Sequence, residues 1–292
     1  PEYDGVVREI TIEENERLEE VVQLEHTVDT DGWISADFHQ HMEPSLDSTA
    51  AVEERVLENI AMGVEFAVPT DHDTVTNLQP VIDRLGVSQS LGTFPGVEVS
   101  PIETHMGLYP MRYDTTLRGF GSVPLAVMEE GSPVRRNIPE LAAEARTLDA
   151  DPIIQLNHAR RDTSGMLELV EYQPQQGPEA VSDDRFLKDF DTMEVINEYE
   201  SICRLFADWS SFLNYGHLAT GLGNSDEHGL SGDTGRVRNF LMLDKPVSDI
   251  TREDVRQTLL DGRVTVGSNG FVELTGSTNP GDVIDAQSGD PV

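Results

Sequence analysis

Two histidines two residues apart, His39 and His41, close the stretch Asp37-Phe-His-Gln-His41. On an extended strand that spacing points both imidazoles to one side, where a single metal ion can accept both. Alone the pair is a weak sign, because surface strands carry such spacings by chance. Seven further candidate donors follow, each at or near the end of its own apolar run: Asp47, His72, Glu98, His105, His158, Asp226 and His228. Six of the chain's eight histidines belong to this set. A mixed imidazole and carboxylate set of this size suits two or three divalent ions of the Zn, Mn or Fe type.

The chemistry follows from the donors. A hydroxide bridging two cations is a nucleophile at neutral pH, and the ions neutralise charge developing on the attacked group. That predicts a multinuclear metal-dependent hydrolase, with a small phosphomonoester or diester as the leading substrate. A metal-binding interaction module without turnover is the reading from another class. Ser164-Gly165 makes no serine elbow, and no Gly-rich phosphate loop precedes a helix. Arg160, two residues past His158, is the candidate to grip two phosphate oxygens with its planar fork. Pairing with Asp162 or another carboxylate is its structural alternative. Asp71 and Asp73 flank His72, and Asp71 is the candidate to orient an imidazole in the reaction, with capping after the strand as the alternative. Glu194 and Asn197 end a later strand and could face the site. His26 falls outside every ligand spacing, and His217 begins its strand rather than ending it, so both are set aside.

The elements that must position these donors alternate. Strands are expected over 34–39, 64–70, 93–100, 105–109, 152–157, 193–197, 217–223 and 239–243. Helices are expected from Ser48 or Thr49 to Ala61, over 75–85, from Pro139 to Leu148, and from the end of the 193–197 strand through Phe212. A last helix begins at a Thr251 cap and ends at Gly262, with short strands over 264–266 and 271–274 after it. Such alternation argues a parallel α/β sheet, and donors gathered at strand C-termini favour a barrel over an open sheet. Residues 1–32 are expected to be the end of a preceding β-rich module, and 111–135 a surface loop or lid. Residues 275–292 are expected to be a tail or the start of a following module.

The ordered set resembles the PHP (polymerase and histidinol phosphatase) metal-dependent hydrolases. The matching motifs are His39-Gln-His41, Asp71-His72-Asp73, Gly96-Val97-Glu98, Asn157-His158 and Asn224-Ser225-Asp226-Glu227-His228. Gly32-Trp33 before the histidines and Ser45-Leu46-Asp47-Ser48 after them resemble the carbaryl-hydrolase (CehA/McbA) branch, a resemblance that implies a carbamate or carboxylic ester as the alternative substrate. The resemblance implies a distorted seven-stranded (β/α) barrel over residues 33–274 with short β-rich extensions. It also implies a first ion on His39, His41, Glu98 and Asp226, and a second on Asp47, His72 and His228. A third would sit on His105, His158 and a bridging Glu98. A periplasmic or secreted location follows if the resemblance holds, and the cytoplasm of a halophile otherwise.

Of 292 residues, 54 are carboxylates and 20 are basic, a net charge of −34, and only Lys188 and Lys245 are lysines. Such a field is expected to repel nucleic acid and anionic membrane, leaving a small anionic ester as substrate. No apolar run approaches the roughly 20 residues of a membrane helix. The chain opens on Pro1, so it is expected to be processed or excised from a longer chain with flanking modules. The single cysteine, Cys203, excludes an internal disulfide and is expected to be a buried small hydrophobe. Acid excess with scarce lysine resembles halophile proteins, with a GC-rich genome as the other source. If self-repulsion limits stability, raising KCl from low to molar concentration raises the melting temperature in a thermal scan; a flat curve removes the inference.

Overall fold

The computed structural model describes residues 2–197, 201–268, 270–273 and 279–282. The first strand, β1 (Trp33–Gln40), is buried along its whole length, as a strand covered on both faces must be. Helix α1 (Val52–Ala61) follows, then β2 (Phe66–Pro69), α2 (Gln79–Leu85), the short β3 (Gly92–Thr93), β4 (Val97–Val99) and β5 (Met106–Tyr109). A small hairpin, β6 (Ala126–Glu129) and β7 (Ser132–Arg135), precedes α3 (Ile138–Ala145) and β8 (Ile153–Leu156). The one-turn α4 (Met166–Leu169), β9 (Thr192–Asn197), α5 (Ile202–Asn214), β10 (Thr220–Asn224), β11 (Val237–Met242), α6 (Arg252–Leu260) and β12 (Val264–Ser268) complete the order.

The strands form two five-stranded sheets, ordered β12-β11-β1-β2-β3 and β10-β9-β8-β5-β4. Both are mixed. β1 runs parallel to β2 but antiparallel to β11, and β8 runs parallel to β9 but antiparallel to β5. Among the described residues no closed seven-stranded barrel forms. The sheets instead meet through single bridges, Gln40 with Glu227 and His72 with Glu98, all four residues at or beside the candidate donors. Glycine permits the approach at each seam. A Cβ on Gly96 would lie 2.6 Å from Val68 Cγ1, and one on Gly223 would lie 2.4 Å from Val266 Cγ1.

Two irregularities re-aim side chains near the meeting point. Asp37 pairs with Ala67 and Gln40 with Pro69, so β1 carries one residue more than β2 across that interval. An extra residue breaks the alternation of faces. Phe38 joins the apolar core, stacking on Tyr109 with ring centroids 5.2 Å apart, while its neighbour His39, on the opposite face, reaches the donor cluster. The β9–β10 ladder slips in the same way between Leu222 and Gly223, close to Glu194.

Several expected elements differ. α1 starts at Val52 behind Ala51 because the Ser48 hydroxyl is used elsewhere, donating to the His228 carbonyl at 2.6 Å. Residues 4–25 carry no ladder; the Tyr3–His26 bridge closes their base. Phe271 to Glu273 form no strand, and Leu274 and most of the tail lie outside the described residues, as do 198–200 before α5. Cys203 is exposed on α5, not buried. Thr251 does cap α6, accepting from the Asp254 N–H at 3.2 Å. No described helix is long and apolar enough to cross a membrane.

Arg160 belongs to the scaffold. Its Nε and Nη2 donate to the two oxygens of the fully buried Asp208 on α5, each at 2.7 Å. Nη1 donates to the Leu167 carbonyl at 2.9 Å and Nη2 to that of Tyr172 at 2.7 Å. The fork that the sequence offered to phosphate is therefore spent tying α5 to the turn after β8. Arg160→Ala leaves Asp208 as an uncompensated buried charge and is expected to cost about 3–5 kcal/mol in denaturant unfolding. A loss below about 1 kcal/mol would contradict this role.

Candidate metal centre

Glu98, on β4, is fully buried, and its two oxygens meet five imidazoles. Oε1 lies 3.2 Å from His39 Nε2 and 3.1 Å from His158 Nε2. Oε2 lies 3.0 Å from His72 Nδ1, 3.3 Å from His105 Nδ1 and 3.7 Å from His41 Nε2. Asp226 forms a second focus. Its Oδ1 has no hydrogen bond, yet it sits 3.2 Å from both His39 Nε2 and His41 Nε2 and 3.7 Å from His228 Nδ1. Asp47 Oδ2 gathers the outer pair, 3.2 Å from His72 Nε2 and 3.4 Å from His228 Nε2. All nine predicted donors are thus brought together.

The spacing fits cations. Donors bound about 2.0–2.1 Å from one ion stand roughly 3.0–3.4 Å apart, the range found here. His39 Nε2 faces His41 Nε2 at 3.1 Å, and His158 Nδ1 and His105 Nδ1 are buried without hydrogen bonds. Four groups have donor atoms close enough to share an ion: His41, Asp47, His72 and His228; His39, His41 and Asp226; His39, Glu98 and His158; and His72, Glu98 and His105. These clusters could bind several metal ions. They differ from the implied ligand sets: the group of His39, His41 and Asp226 lacks Glu98, and His41 also joins the second set. The third set divides, with His105 grouped beside His72 and His158 beside His39.

Partners behind the donors fix their direction. Glu194 Oε1 meets His39 Nδ1 at 2.8 Å, which turns Nε2 toward the cluster, and Glu194 Oε2 accepts the His158 N–H at 2.6 Å. Asn197 donates to the same carboxylate at 3.0 Å. Asn157 Nδ2 donates to Glu98 Oε1 at 2.7 Å. Asp71 is buried away from the cavity and acts through Ser45: its Oδ1 accepts from the Ser45 hydroxyl at 2.9 Å, and that oxygen lies 3.1 Å from His41 Nδ1. It orients a donor and does not reach a substrate. His158 and Asp226 have φ of 24° and 52°, left-handed values that non-glycine residues hold only under tertiary constraint.

Arg55 and Arg161 were not among the predicted residues. Arg55, fully buried on α1, donates from Nη2 to the carbonyls of His41, Glu227 and Gly229 at 3.0, 3.1 and 2.6 Å. It clasps the two segments that carry His41 and His228. Its place in the apolar α1 stripe region, beside Val56, was the only available signal. Arg161 lines the open cavity of about 190 Å³ over the cluster, with His72, Glu98, His105 and His158. Its Nη1 lies 3.2 Å from Asp226 Oδ2. The anion-facing arginine is therefore the residue after the one the sequence suggested, because the turn beginning at His158 sends Arg160 inward. His217 and His26 lie elsewhere, His217 packed on Phe190 and His26 on Tyr3.

No protein-family model and no curated protein matches the chain. Solved structures do. The lesion-specific endonuclease PfuEndoQ from Pyrococcus furiosus aligns with TM-score 0.53 and 17% identity, over 80% of this chain and 57% of its own. The chain thus spans little more than half the length of that neighbour. Endonuclease Q with a 27-mer duplex carrying an abasic lesion at its active site gives TM-score 0.48 and 17% identity, over 77% and 56% of the two chains. A protein described as a metal-dependent phosphoesterase from Bifidobacterium adolescentis gives 0.45 and 14%, over 77% and 95%. The first likeness supports a PHP-like mixed α/β fold. It also overturns the exclusion of nucleic acid drawn from charge, since a protein of this fold is a DNA endonuclease. Net charge sums the whole surface, whereas binding answers to the local field around a cation-binding cluster.

The titration of the donors gives the cluster a proton linkage. Burial alone would lower His72, but its bond to Glu98 and the charges of Glu98 and Asp47 raise it to about 9. Burial would also lower His39, yet Asp226, Glu194 and Glu98 hold it well above the ordinary imidazole value. His41, dominated by burial, falls to about 4 and is neutral at pH 7. A cation accepts only neutral imidazole, so binding expels at least the His72 proton below pH 9. Affinity for Zn or Mn is expected to fall about tenfold per pH unit for each proton displaced, from pH 9 down to 6. Chelator competition corrected for the chelator's own protonation checks it; a pH-independent affinity contradicts it.

Proposed function

We propose that the chain is a multinuclear metal-dependent phosphoester hydrolase of the PHP type. Gly32-Trp33 and Ser45-Leu46-Asp47-Ser48 support placing it in the carbaryl-hydrolase branch. The observation that carries the reading is the buried Glu98 carboxylate facing five imidazoles, beside an Asp226 oxygen that lies without a hydrogen bond near two of the same imidazoles, His39 and His41, and a sixth, His228. A protein does not desolvate so many donors around one point without a cation to repay the cost. Divalent ions bound there would acidify water for attack and stabilise the charge that develops on the substrate.

The chain's own residues supply the remainder. Arg161 stands at the cavity wall with a side chain 41% exposed, placed to bind the oxygens of an anionic ester. Glu194 holds His39 in orientation, and Asp71 holds His41 through Ser45. Arg161 favours a phosphoester over a carbamate or carboxylic ester, because a neutral substrate gives a guanidinium no charge to pair.

Assays of p-nitrophenyl phosphate, a dinucleotide diester and a naphthyl carbamate, each with added Mn or Zn, test the reading. Phosphoester turnover is expected. Arg161→Ala should raise KM for the phosphoester about 10- to 100-fold with metal content unchanged, the worth of a charge-assisted pair. Turnover of the carbamate alone would replace the substrate class. Three inert substrates on a fully metal-loaded protein would refute the hydrolase.

A further inference from the structure

The cavity over the donors is not closed at the segment 101–105. Ile102, 68% exposed, lines it on one side and also lines a second cavity of about 290 Å³ on the other. Thr104 faces that second cavity while the next residue, His105, faces the donors. Two hollows share one wall, and the wall is only a few residues of chain.

The second hollow gathers three arginines in an otherwise acidic molecule. Its lining carries Arg135, Arg136 and Arg185 against one carboxylate, Glu103. These are three of the 20 basic residues in a chain with 54 carboxylates. Two of them are engaged. Arg136 pairs with Glu144, and Arg185 pairs with Asp183 at 2.7 Å and with Glu103 at 3.3 Å. Arg135, exposed at the end of β7, pairs with Ala126 through the backbone, and its side chain makes no hydrogen bond or ion pair among the described residues. With carboxylates so abundant, an arginine left over beside two others marks a surface of positive potential that no internal partner neutralises.

We infer that this arginine hollow is the subsite for a second anionic group on the substrate, so that the substrate is a phosphodiester whose far arm ends in a phosphate or carboxylate. The inference rests on the phosphoester reading of the donor cluster. The reacting phosphate lies over the donors and Arg161, the chain of the substrate crosses the apolar Ile102, and the terminal anion meets Arg135. Arg136 and Arg185, held by their own carboxylates, form the walls of the hollow. Ile102 suits the crossing, because an exposed aliphatic side chain packs against a sugar or base and offers no charge to repel it.

The thymidine dinucleotide dTpdT and its 5′-phosphorylated form pdTpdT share one scissile diester and differ only in a terminal phosphate, so they isolate the subsite. For the metal-loaded protein the phosphorylated form is expected to bind roughly tenfold or more tightly, read both as KM and as Kd by titration. Arg135→Ala should erase that difference, and Arg135→Glu should reverse it. Neither change should alter Kd for dTpdT, metal content or turnover of p-nitrophenyl phosphate. A terminal-phosphate preference in Kd without cleavage of either dinucleotide would sink the hydrolase reading and keep the subsite. Equal Kd for the two dinucleotides in the unaltered protein, or a preference that survives Arg135→Glu, would overturn the subsite whatever the turnover.

Discussion

A carboxylate with no exposed surface, Glu98, lies within reach of five imidazoles, and the rest of the molecule is arranged so that this can be so. In a low-dielectric interior an isolated charge of that kind would cost several kcal/mol, and it persists only with partners placed around it. The partners come from both sheets. His39 and His41 end β1 of the first, and His158 follows β8 of the second. The sheets must therefore meet at one end, and they do so by bridges at Gln40–Glu227 and His72–Glu98 rather than by a continuous ladder. A ladder along the whole seam would crowd the space the donors need.

Holding donors at such distances also consumes polar groups that a simpler core would avoid. Glu194, Asn157, Asn224 and Arg55 are buried, and each makes bonds that lead back to a donor, to the backbone carrying one or to a residue that orients one. A network of this kind rigidifies the site when every member is paired. It must be balanced by apolar packing elsewhere. The core around Phe38, Phe66 and Tyr109 lies directly behind the histidine strand, and a second core around Tyr172, Phe186 and Phe212 packs under α5. The Arg160–Asp208 clamp belongs to that second core and anchors the turn from which His158 and Arg161 project.

Charge acts on two scales here. The net −34 is a property of the surface and bears on solubility and salt response. The field at the cavity is local, set by the donor cluster and by Arg161 at its wall. Averaging the two scales into one number led to the discarded exclusion of nucleic acid.

The nine candidate donors that the structure gathers could be picked out from the chain alone, because each stands at or near the end of an apolar run. The alternation of strands and helices, the Thr251 cap of α6 and the setting aside of His26 and His217 were legible for the same local reasons. What the chain alone did not decide is direction. The alternation of a regular strand already parts Phe38, in the core, from His39, in the cluster, but the register shift of β1 against β2 between Asp37 and Gln40 has no signal in the chain. The left-handed turn at His158 buries Arg160 and brings Arg161 to the cavity, exchanging the roles of neighbours that look alike in sequence. Cys203 faces outward, and Ser48 leaves the helix start to hold the His228 segment. Each of these depends on a contact between residues far apart in the chain. Local pattern fixes which side chains are available, and only long-range packing fixes the bulge, the turn and the seam that aim them.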